Sequence, residues 1–311
     1  MKRSAVARET FDVVGLGASA VDELLWVASF PTADSKVRVR RRARACGGLG
    51  ATSLVAAARL GSRAAYAGVL GSDESSRFVI DSLEAKGVNI QHVHFYPGAM
   101  PVLSVIILDD AGQTRTILYD CVGMVGPEAD WLPTELLTSA TVLLVDNYRI
   151  DLTINAARLA RSAGAAIVAD LEDASSARFD ELVGLVDHLI LSSDFATTIT
   201  GEATPAEAAK RLNAPGRTVV ITCGPDGAWY VPDDGLREAR HQPAFPVNVV
   251  DTNGCGDVFH GAYASALAGG VDLPGRVRFA SAVAALAATT PGGQEGIPDA
   301  ATVTRFLAEQ S

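Results

Sequence analysis

Residues 251–257 read Asp-Thr-Asn-Gly-Cys-Gly-Asp, and an apolar run of helical character follows them. The glycines let the backbone bend so that the N–H groups of Gly254, Cys255 and Gly256 point into one concavity, and the N-terminus of the helix adds partial positive charge. The segment therefore predicts an anion site. Asp257 places a carboxylate beside it, which suits a base that accepts the proton of a hydroxyl attacking a bound phosphate. The alternative is a glycine-rich turn in which Asp257 is only a favourable first-turn helix residue.

The composition of the 311 residues restricts the classes of function. With 48% hydrophobic and 20% charged residues, a large buried core is expected and disorder is not. The formal charge of −10 argues against nucleic acid as a partner. No apolar run reaches the roughly 18–20 residues that span a bilayer, and no apolar signal-peptide core follows Met1–Glu9. The four cysteines lack C-x-x-C spacing, so a cytoplasmic protein with reduced thiols is expected.

Apolar strand-like runs alternate with helical patterns over most of the chain. This alternation predicts a three-layer α/β fold, with a mostly parallel central sheet and helices on both faces. The predicted strands are Phe11–Gly15, Ala65–Val69, Thr141–Val145, Ala166–Ala169, His188–Leu191 and Thr218–Ile221. The predicted helices are Thr52–Leu60, Ser75–Lys86, Leu152–Ser162, Pro205–Leu212, Asp257–Ala268 and Gly275–Thr289. Left-handed C-caps are expected at Gly61, Gly87, Gly164 and Gly269.

Two stretches interrupt this alternation. Lys36–Arg44 has a period of two with one polar face, and Val102–Tyr119 has the pattern of a hairpin that turns at residues 109–112. No helix pattern follows either stretch. They predict a small antiparallel sheet of about residues 23–46 and 98–122 within a single domain of residues 1–311.

Residues 15–20, Gly-Leu-Gly-Ala-Ser-Ala, follow the first strand and are similar to a dinucleotide-binding fingerprint. That fingerprint requires an acidic residue about 20 positions further on, after a βαβ unit. Here Asp22 comes almost at once, and extended-looking sequence with Pro31 follows. An NAD-dependent dehydrogenase is therefore a remote alternative function.

The segment Asp251–Asp257 resembles the C-terminal signature of the ribokinase-like (PfkB) carbohydrate kinases, with Cys255 in the usual place of alanine. The resemblance covers about residues 12–298. It implies a ribokinase-like fold and transfer of the γ-phosphoryl group of ATP to a sugar hydroxyl. It implies as well that the small antiparallel sheet is a β-lid that projects from the main sheet. It also implies Mg²⁺, and a monovalent cation near Asp251 and Asn253.

The resemblance also implies where the sugar binds. Asp22 matches an aspartate at the end of the first strand that binds sugar hydroxyls. Gly47 and Gly48 match the glycine pair of the first family signature, and Thr52 stands where that signature has asparagine. These residues are the expected contacts of the acceptor.

The nucleotide site is implied in the same way. Its candidate residues are Ser192, Thr222, Gly224, Gly227, Ala284 and Gly292. Where the family has an Asn-x-x-Glu element, this chain reads Ser192-Ser193-Asp194-Phe195. Asp194 is the candidate magnesium ligand, acting through water because Mg²⁺ usually keeps several waters.

Other motifs, among them residues 258–261 and 291–299, look most like those of sulfofructose kinases within the family. This similarity implies a ketohexose acceptor such as 6-deoxy-6-sulfofructose, with Lys36 and Arg149 as candidate contacts of an anionic substituent. Tyr119 and Tyr148 stand where a sulfonate site would carry asparagine and arginine, respectively. The alternative role of the charges on Lys36–Arg44 is to prevent another strand from pairing with the edge of the sheet. Another sugar or a nucleoside as acceptor, and a sugar sensor without turnover, remain alternatives. A homodimer formed through the lids is expected.

Overall fold

The computed structural model describes residues 9–112, 114–128 and 131–310. The prediction that the N-terminal segment holds no signal peptide concerns residues 1–8 and lies outside this part of the chain. Within it, the strands and helices follow the predicted order, and most of their ends lie within three residues of the predicted ones.

The strands are β1 (Phe11–Leu16), β2 (Ala20–Val27), β3 (Arg41–Gly47), β4 (Ala64–Tyr66), β5 (Val69–Leu70), β6 (His94–Phe95), β7 (Val102–Asp109), β8 (Thr114–Asp120), β9 (Ala140–Val145), β10 (Ala166–Asp170), β11 (His188–Ser192), β12 (Thr218–Thr222), β13 (Ala228–Val231) and β14 (Arg240–Gln242). The helices are α1 (Leu49–Arg59), α2 (Glu74–Ala85), α3 (Thr134–Leu137), α4 (Ile150–Ser162), α5 (Phe179–Val183), α6 (Ser193–Thr200), α7 (Pro205–Leu212), α8 (Cys255–Ala268), α9 (Leu273–Ala287) and α10 (Ala300–Glu309).

The described residues form a central eight-stranded sheet in the order β14-β13-β12-β11-β10-β9-β1-β4. Strands β12 to β4 in that order pair in parallel, and β13 and β14 extend the sheet in antiparallel fashion. Side chains alternate between two buried clusters, so that Val142 and Leu144 face α1, α8 and α9 whereas Leu143 and Val145 face α4 to α7. The predicted three-layer α/β fold is confirmed.

The lid is a separate four-stranded sheet in the order β3-β2-β7-β8. The prediction that it is antiparallel is wrong in part, because β2 and β7 pair in parallel from Ala20 with Val102 to Val27 with Asp109. The physical reason is that parallel neighbours need a long crossover, and the chain between β2 and β7 supplies one, containing α1 and α2. The hairpin between β7 and β8 is confirmed.

The predicted strand Lys36–Arg44 begins later than expected. The ladder between β2 and β3 starts where Trp26 faces Arg41, so Lys36 lies in the preceding loop and is exposed. Strand β2 ends at Val27, and the residues before Arg40 therefore have no strand beside them to pair with.

Three of the four predicted C-cap glycines have positive φ: 98° at Gly61, 83° at Gly87 and 94° at Gly164. The prediction for Gly269 is wrong. Its φ is −77°, and Gly270 takes the left-handed conformation with φ 73°, because the backbone stays near the helical region at the C-cap and reverses one residue later.

None of the helices in the described ranges combines the length and the apolar character that a membrane crossing requires.

Helices α1 and α8 pack closely at Gly261. A Cβ atom at this position would lie 2.0 Å from the backbone oxygen of Ser53, and a rigid backbone atom cannot move aside as a flexible side chain can. We expect Gly261→Ala to lower the free energy of unfolding by about 1–3 kcal/mol, the usual cost of overpacking, despite the better helix propensity of alanine. Urea unfolding measures this.

Gly269→Ala, at the C-cap of the same helix, is the matched control, since a Cβ there would lie 3.5 Å from the nearest atom, the backbone oxygen of Ser265. Equal stabilities of the two variants would show that the α1–α8 contact does not depend on a glycine.

Candidate active site

The polar residues of the site gather at one edge of the central sheet. Asp170, Ser192 and Thr222 are the last residues of β10, β11 and β12, and Asp146 follows β9 directly. Open parallel sheets bind ligands outside the carboxyl ends of their strands. Helix α8 packs against β1, β9 and β10 and starts at this edge, so the segment 251–257 lies beside these strand ends.

The predicted anion site forms the entry into α8. Gly254 has a φ of 71° and precedes the first helical residue, Cys255. The first N–H groups of a helix have no acceptor within it. Here the N–H group of Cys255 makes a long hydrogen bond of 3.3 Å to Thr252 O, and those of Gly254 and Gly256 are available to a ligand. Burial raises the pKa of the Cys255 thiol to about 11, which keeps the thiol neutral beside the site.

Asp251 connects the loop of the predicted anion site to the loop that contains Gly292. Its carboxylate accepts hydrogen bonds from the backbone N–H groups of Asn253 and Gly292, both at 2.9 Å. Gly254 packs on Gly293, whose Cα atom would lie 3.1 Å from a Cβ at position 254. Gly292, a nucleotide-site candidate, therefore helps to fix the shape of the anion site.

Asp257 lies in the first turn of α8 and is partly buried. Burial raises the pKa of its carboxyl group well above the ordinary value, and the nearby carboxyl groups of Asp170 and Glu172 raise it further. A base is most effective when its pKa is near the working pH. The backbone oxygen of Asp257 accepts a hydrogen bond of 2.8 Å from Ser53 Oγ, which ties this turn to α1.

The sequence places Asp22 at the end of the first strand. In the structure, Asp22 lies instead on the lid. It belongs to β2 and is 7% exposed. A Cβ atom on Gly47 would lie 2.1 Å from Asp22 Oδ2, so the carboxylate lies directly on the glycine pair. Asp22 is also close enough to Asp257 to raise the pKa of that residue. The structure thus brings Asp22 and Gly47, two of the predicted sugar contacts, near the predicted base.

Burial raises the pKa of Asp22 to about 6, against an unfolded value near 3.8, and a hydrogen bond with Ser104 opposes the shift. Because the folded chain binds this proton more tightly, its stabilising contribution is complete below pH 4 and is lost as the pH rises through about 6. We expect Asp22→Asn to gain stability relative to the wild type as the pH is raised from 4 to 7, measured by urea unfolding. Parallel pH profiles of the two proteins would contradict this assignment.

Thr52 is 1% exposed, and its Oγ1 accepts a hydrogen bond of 3.1 Å from Gln294 Nε2. Gln294 Oε1 in turn accepts one of 2.7 Å from Lys86 Nζ. The Thr52 hydroxyl therefore belongs to a buried polar chain that joins α1, α2 and the loop before α10. Gly48, the N-cap of α1, has a φ of 95°, and a Cβ there would meet the backbone of Ser19 at 2.6 Å.

The basic residues near Lys36 are mostly paired within the lid and α2. Arg40 contacts Asp110 at 3.0 Å, and Arg42 and Arg44 contact Glu23 at 3.5 and 3.4 Å. These contacts favour a structural role for the basic segment.

Arg149 is the N-cap residue of α4. Its Nη2 donates a hydrogen bond of 2.6 Å to Pro127 O, whereas its Nη1 is buried and has no hydrogen-bond partner among the described residues. Arg149 lines a cavity of about 40 Å³ together with Asp146 and Met124. Tyr148 and Tyr119 are 38% and 64% exposed.

The nucleotide-site candidates lie near the ends of β11 and β12. Ser192 caps α6 and accepts a hydrogen bond of 3.3 Å from Phe195 N. Thr222 Oγ1 donates to Leu191 O at 3.3 Å, and Gly224 follows with a φ of 54°. Asp194 is exposed in the first turn of α6.

The other two candidates differ in role. Gly227 has a φ of 87°, and a Cβ there would lie 2.1 Å from Gln242 O, so a tight turn requires glycine at this position. Ala284 is partly buried on α9. Nowhere in the described ranges do three or more His, Cys, Asp or Glu side chains form a group that could hold a metal ion.

The lid reaches the anion site through a contact that the sequence does not indicate. Arg115 on β8 donates a hydrogen bond from Nη1 to Thr252 Oγ1, within the segment 251–257. The guanidinium group is near enough to Cys255 to influence the pKa of its thiol. A cation of the lid therefore lies beside the site where an anion would bind.

The dinucleotide-binding alternative is wrong. The glycines that follow β1 lead into β2 of the lid, which begins at Ala20, and not into a helix. Without a helix N-terminus after the first strand, this turn lacks the pyrophosphate site of a dehydrogenase.

Comparison with known proteins agrees with this geometry. Residues 12–300 match the model of the pfkB family carbohydrate kinases. This chain belongs to the pfkB family of carbohydrate kinases. It is 26% identical to a ribokinase of Haemophilus influenzae over 96% of this chain and 99% of the relative. It is also 26% identical to fructokinase-2 of rice, over 98% and 96% of the two chains.

Solved structures of the family share the fold. A putative ribokinase from Agrobacterium tumefaciens superposes with a TM-score of 0.89 at 28% identity, covering 96% of this chain and 97% of the other. The ribokinase of Arabidopsis thaliana, solved with ribose and ATP, superposes with a TM-score of 0.82 at 21% identity, covering 96% and 99%. The ribokinase-like fold, with its separate lid sheet, is thereby established.

Proposed function

We propose that this carbohydrate kinase transfers the γ-phosphoryl group of ATP to a hydroxyl of a sugar held between the lid and the central sheet. The observation that carries the proposal is the placement of Asp257 in the first turn of α8, directly after the predicted anion site, with Asp22 near enough to raise its pKa. A carboxylate next to an anion site and a second one facing a glycine turn suit two different tasks. Asp257 accepts the proton of the attacking hydroxyl, and Asp22 with Gly47 and Gly48 holds the sugar.

The backbone N–H groups of Gly254, Cys255 and Gly256 would stabilise the negative charge on the transferred phosphoryl group. Ser192, Thr222, Gly224 and Gly292 lie on the loops that would receive ATP. Mg²⁺, when bound with ATP, would neutralise charge on the phosphates. Asp194, exposed in the first turn of α6, is the residue proposed to reach it through water, which suits an ion that keeps most of its hydration shell.

Two further assignments belong to this proposal. A monovalent cation would bind near Asp251 and Asn253, whose loop supports the anion site. The contact of Arg115 with Thr252 indicates that the lid covers the phosphate end of the cleft, which would exclude water as a competing acceptor.

We propose a neutral sugar, a pentose or a ketohexose, as the acceptor. The pairing of Arg40, Arg42 and Arg44 with acidic neighbours supports this, because each of these cations already has a carboxylate partner within the chain. Relatives of this chain are named ribokinase, deoxyribokinase, fructokinase-2 and nucleoside kinase. The sugar ring is the chemistry that these names share.

An anionic ketohexose such as 6-deoxy-6-sulfofructose is the second candidate, and one observation favours it. The buried Nη1 of Arg149 has no acceptor in the described part of the chain, and burial lowers the pKa of this guanidinium group. A buried N–H group without an acceptor is costly, and an anionic substituent would satisfy it.

The Arg149→Met variant tests this candidate, since methionine keeps most of the apolar volume of the side chain. If the substrate is anionic, we expect the variant to lose about 1.5–3 kcal/mol of transition-state binding, roughly 10–100-fold in kcat/KM, for the anionic sugar and little for fructose. Lys36→Ala is the control for a cation in the exposed loop. Equal losses for charged and neutral sugars would rule out anion recognition by Arg149.

The proposed function is tested by coupled detection of ADP with a panel of acceptors: ribose, deoxyribose, fructose, 6-deoxy-6-sulfofructose and adenosine. We expect one acceptor to stimulate ADP formation far above the rate with ATP alone. Binding of a sugar without ADP formation would instead identify a sensor.

We also propose that residues 1–311 form one kinase domain, and that two copies associate through their lids. Strand β8 is an edge strand of the lid sheet and exposes Ile117, Leu118 and Tyr119 at 45%, 56% and 64%. An apolar edge strand of this kind is suited to pairing with another chain. Sedimentation velocity measures the assembly state.

A further inference from the structure

His260 is buried one turn after Asp257 and contacts three parts of the fold. Its Nδ1 lies 2.8 Å from Gly256 O and 3.2 Å from Asp170 Oδ2. Its Nε2 lies 3.1 Å from Ile190 O. The imidazole is 3% exposed, and Asp170 is 6% exposed. The ring therefore joins the first turn of α8 to the end of β10 and the middle of β11.

The partners of the ring determine how many protons it needs. The oxygens of Gly256 and Ile190 are backbone carbonyls, which can only accept hydrogen bonds. A neutral imidazole has one N–H group, so it would leave the lone pair of its other nitrogen against a carbonyl oxygen. Both ring nitrogens donate only when the imidazole carries two protons, and the carboxylate of Asp170 then balances its charge.

We propose that Asp170 and His260 form a buried positioning pair that holds one shared proton and fixes the anion site and Asp257 for phosphoryl transfer. The pair carries no net charge, and its hydrogen bond to Gly256 O fixes the peptide group that links Gly256 to Asp257. This inference rests on the proposed function only in the role of Asp257 as the base.

Several carboxyl groups surround the Asp170–His260 pair, so a proton held by the pair reduces the negative charge at this place. Asp170 is faced by Asp257 from α8, by Glu172 from the segment after β10 and by Asp146 from the end of β9. Burial, with Glu172 and Asp146, raises the pKa of Asp170, so this carboxyl group does not stand as an isolated charge. Burial lowers the pKa of His260, and the hydrogen bonds to the carbonyls of Gly256 and Ile190 oppose this shift without reversing it. The two groups therefore titrate as a unit.

The consequence for catalysis is a reduction of negative charge beside the base. A bare carboxylate at Asp170 would raise the pKa of Asp257 and would also repel the phosphates of the substrate. With the proton retained by the pair, Asp257 can ionise near neutral pH. The pair thus removes one of the acidic charges near the cleft without removing the carboxyl group that orients the ring.

The proton is detected by NMR of the ring nitrogens in protein labelled with ¹⁵N-histidine and carrying no histidine tag. Single Gln variants of His92, His94, His188 and His241 assign the signals of His260 by elimination. We expect both ring nitrogens of His260 to give the signals of protonated nitrogens throughout pH 6 to pH 8.5 in the wild type, and one of them to lose its proton in Asp170→Asn. A ring with a single protonated nitrogen in the wild type would overturn the proposal. Titration near pH 6.5, or signals indifferent to Asp170→Asn, would overturn the proposal. This readout is independent of kinase activity.

Kinetics test the positioning role. We expect His260→Gln to lower kcat roughly 10–100-fold, with little change in the KM for ATP, and to move the acidic limb of the pH profile of kcat upwards. The double variant Asp170→Asn/His260→Gln removes the bare carboxylate, and we expect it to return that limb towards the wild-type position. An unchanged pH profile in His260→Gln would overturn the effect on Asp257 even if stability fell.

Discussion

Asp257→Asn is expected to lower kcat by roughly 10²–10⁴-fold, the usual contribution of a positioned base. Asparagine has nearly the shape of aspartate but cannot take the proton of the sugar hydroxyl. The backbone of the anion site should remain intact, because its hydrogen bonds come from Asp251 and Ser53. Steady-state kinetics give kcat, and calorimetric titration gives the affinity for ATP.

ATP binding supplies the control for this prediction. The variant removes a carboxyl group beside the phosphates, so its affinity for ATP should be equal to that of the wild type or slightly higher. Turnover like that of the wild type would exclude Asp257 as the base. A loss of ATP affinity comparable with the loss of kcat would show instead that the residue shapes the anion site.

Asp22→Ala is expected to raise the KM for the sugar far more than the KM for ATP. A buried carboxylate accepts hydrogen bonds from sugar hydroxyls, and each such bond to a charged group contributes about 1.5–3 kcal/mol, roughly 10–100-fold. The side chain lies on Gly47 in the lid, on the sugar side of the cleft. Varying each substrate at saturation of the other measures both KM values.

Ser104→Ala is the matched control, because Ser104 hydrogen-bonds Asp22 without being assigned to the sugar. We expect a smaller increase in the sugar KM than in Asp22→Ala. If the KM for ATP rises while that for the sugar stays fixed, Asp22 serves the nucleotide and the assignment of the two ends of the cleft is wrong.

The central sheet and the anion site could be predicted because their signals are local. Continuous apolar runs such as residues 218–222 mark buried parallel strands, and the glycines of 251–257 mark a tight entry into a helix. Strand β2 was harder to predict, because only three residues separate it from β1 and no strong turn signal intervenes. The sequence therefore places Asp22 at the end of the first strand. The sugar is its proposed ligand in either position.

Contacts between distant parts of the chain could not be predicted from one sequence. Thr52 is engaged by Gln294 across 242 positions, and Arg115 contacts Thr252 across 137 positions. The pairing of β2 with β7 likewise depends on a crossover through two helices. Such contacts leave no periodic pattern in the sequence. For Asp170 the only signal is indirect: it is an aspartate at the end of a predicted buried strand.

The proposed reaction is the transfer of the γ-phosphoryl group from ATP to a sugar hydroxyl. Its most direct test is ³¹P NMR of the reaction of the purified enzyme with ATP, Mg²⁺ and the acceptor found in the panel. We expect the γ-phosphate signal to be replaced by that of a sugar phosphate ester, in equal amount to ADP, in the wild type and far more slowly in Asp257→Asn. Formation of ADP with inorganic phosphate alone, whichever sugar is present, would contradict it.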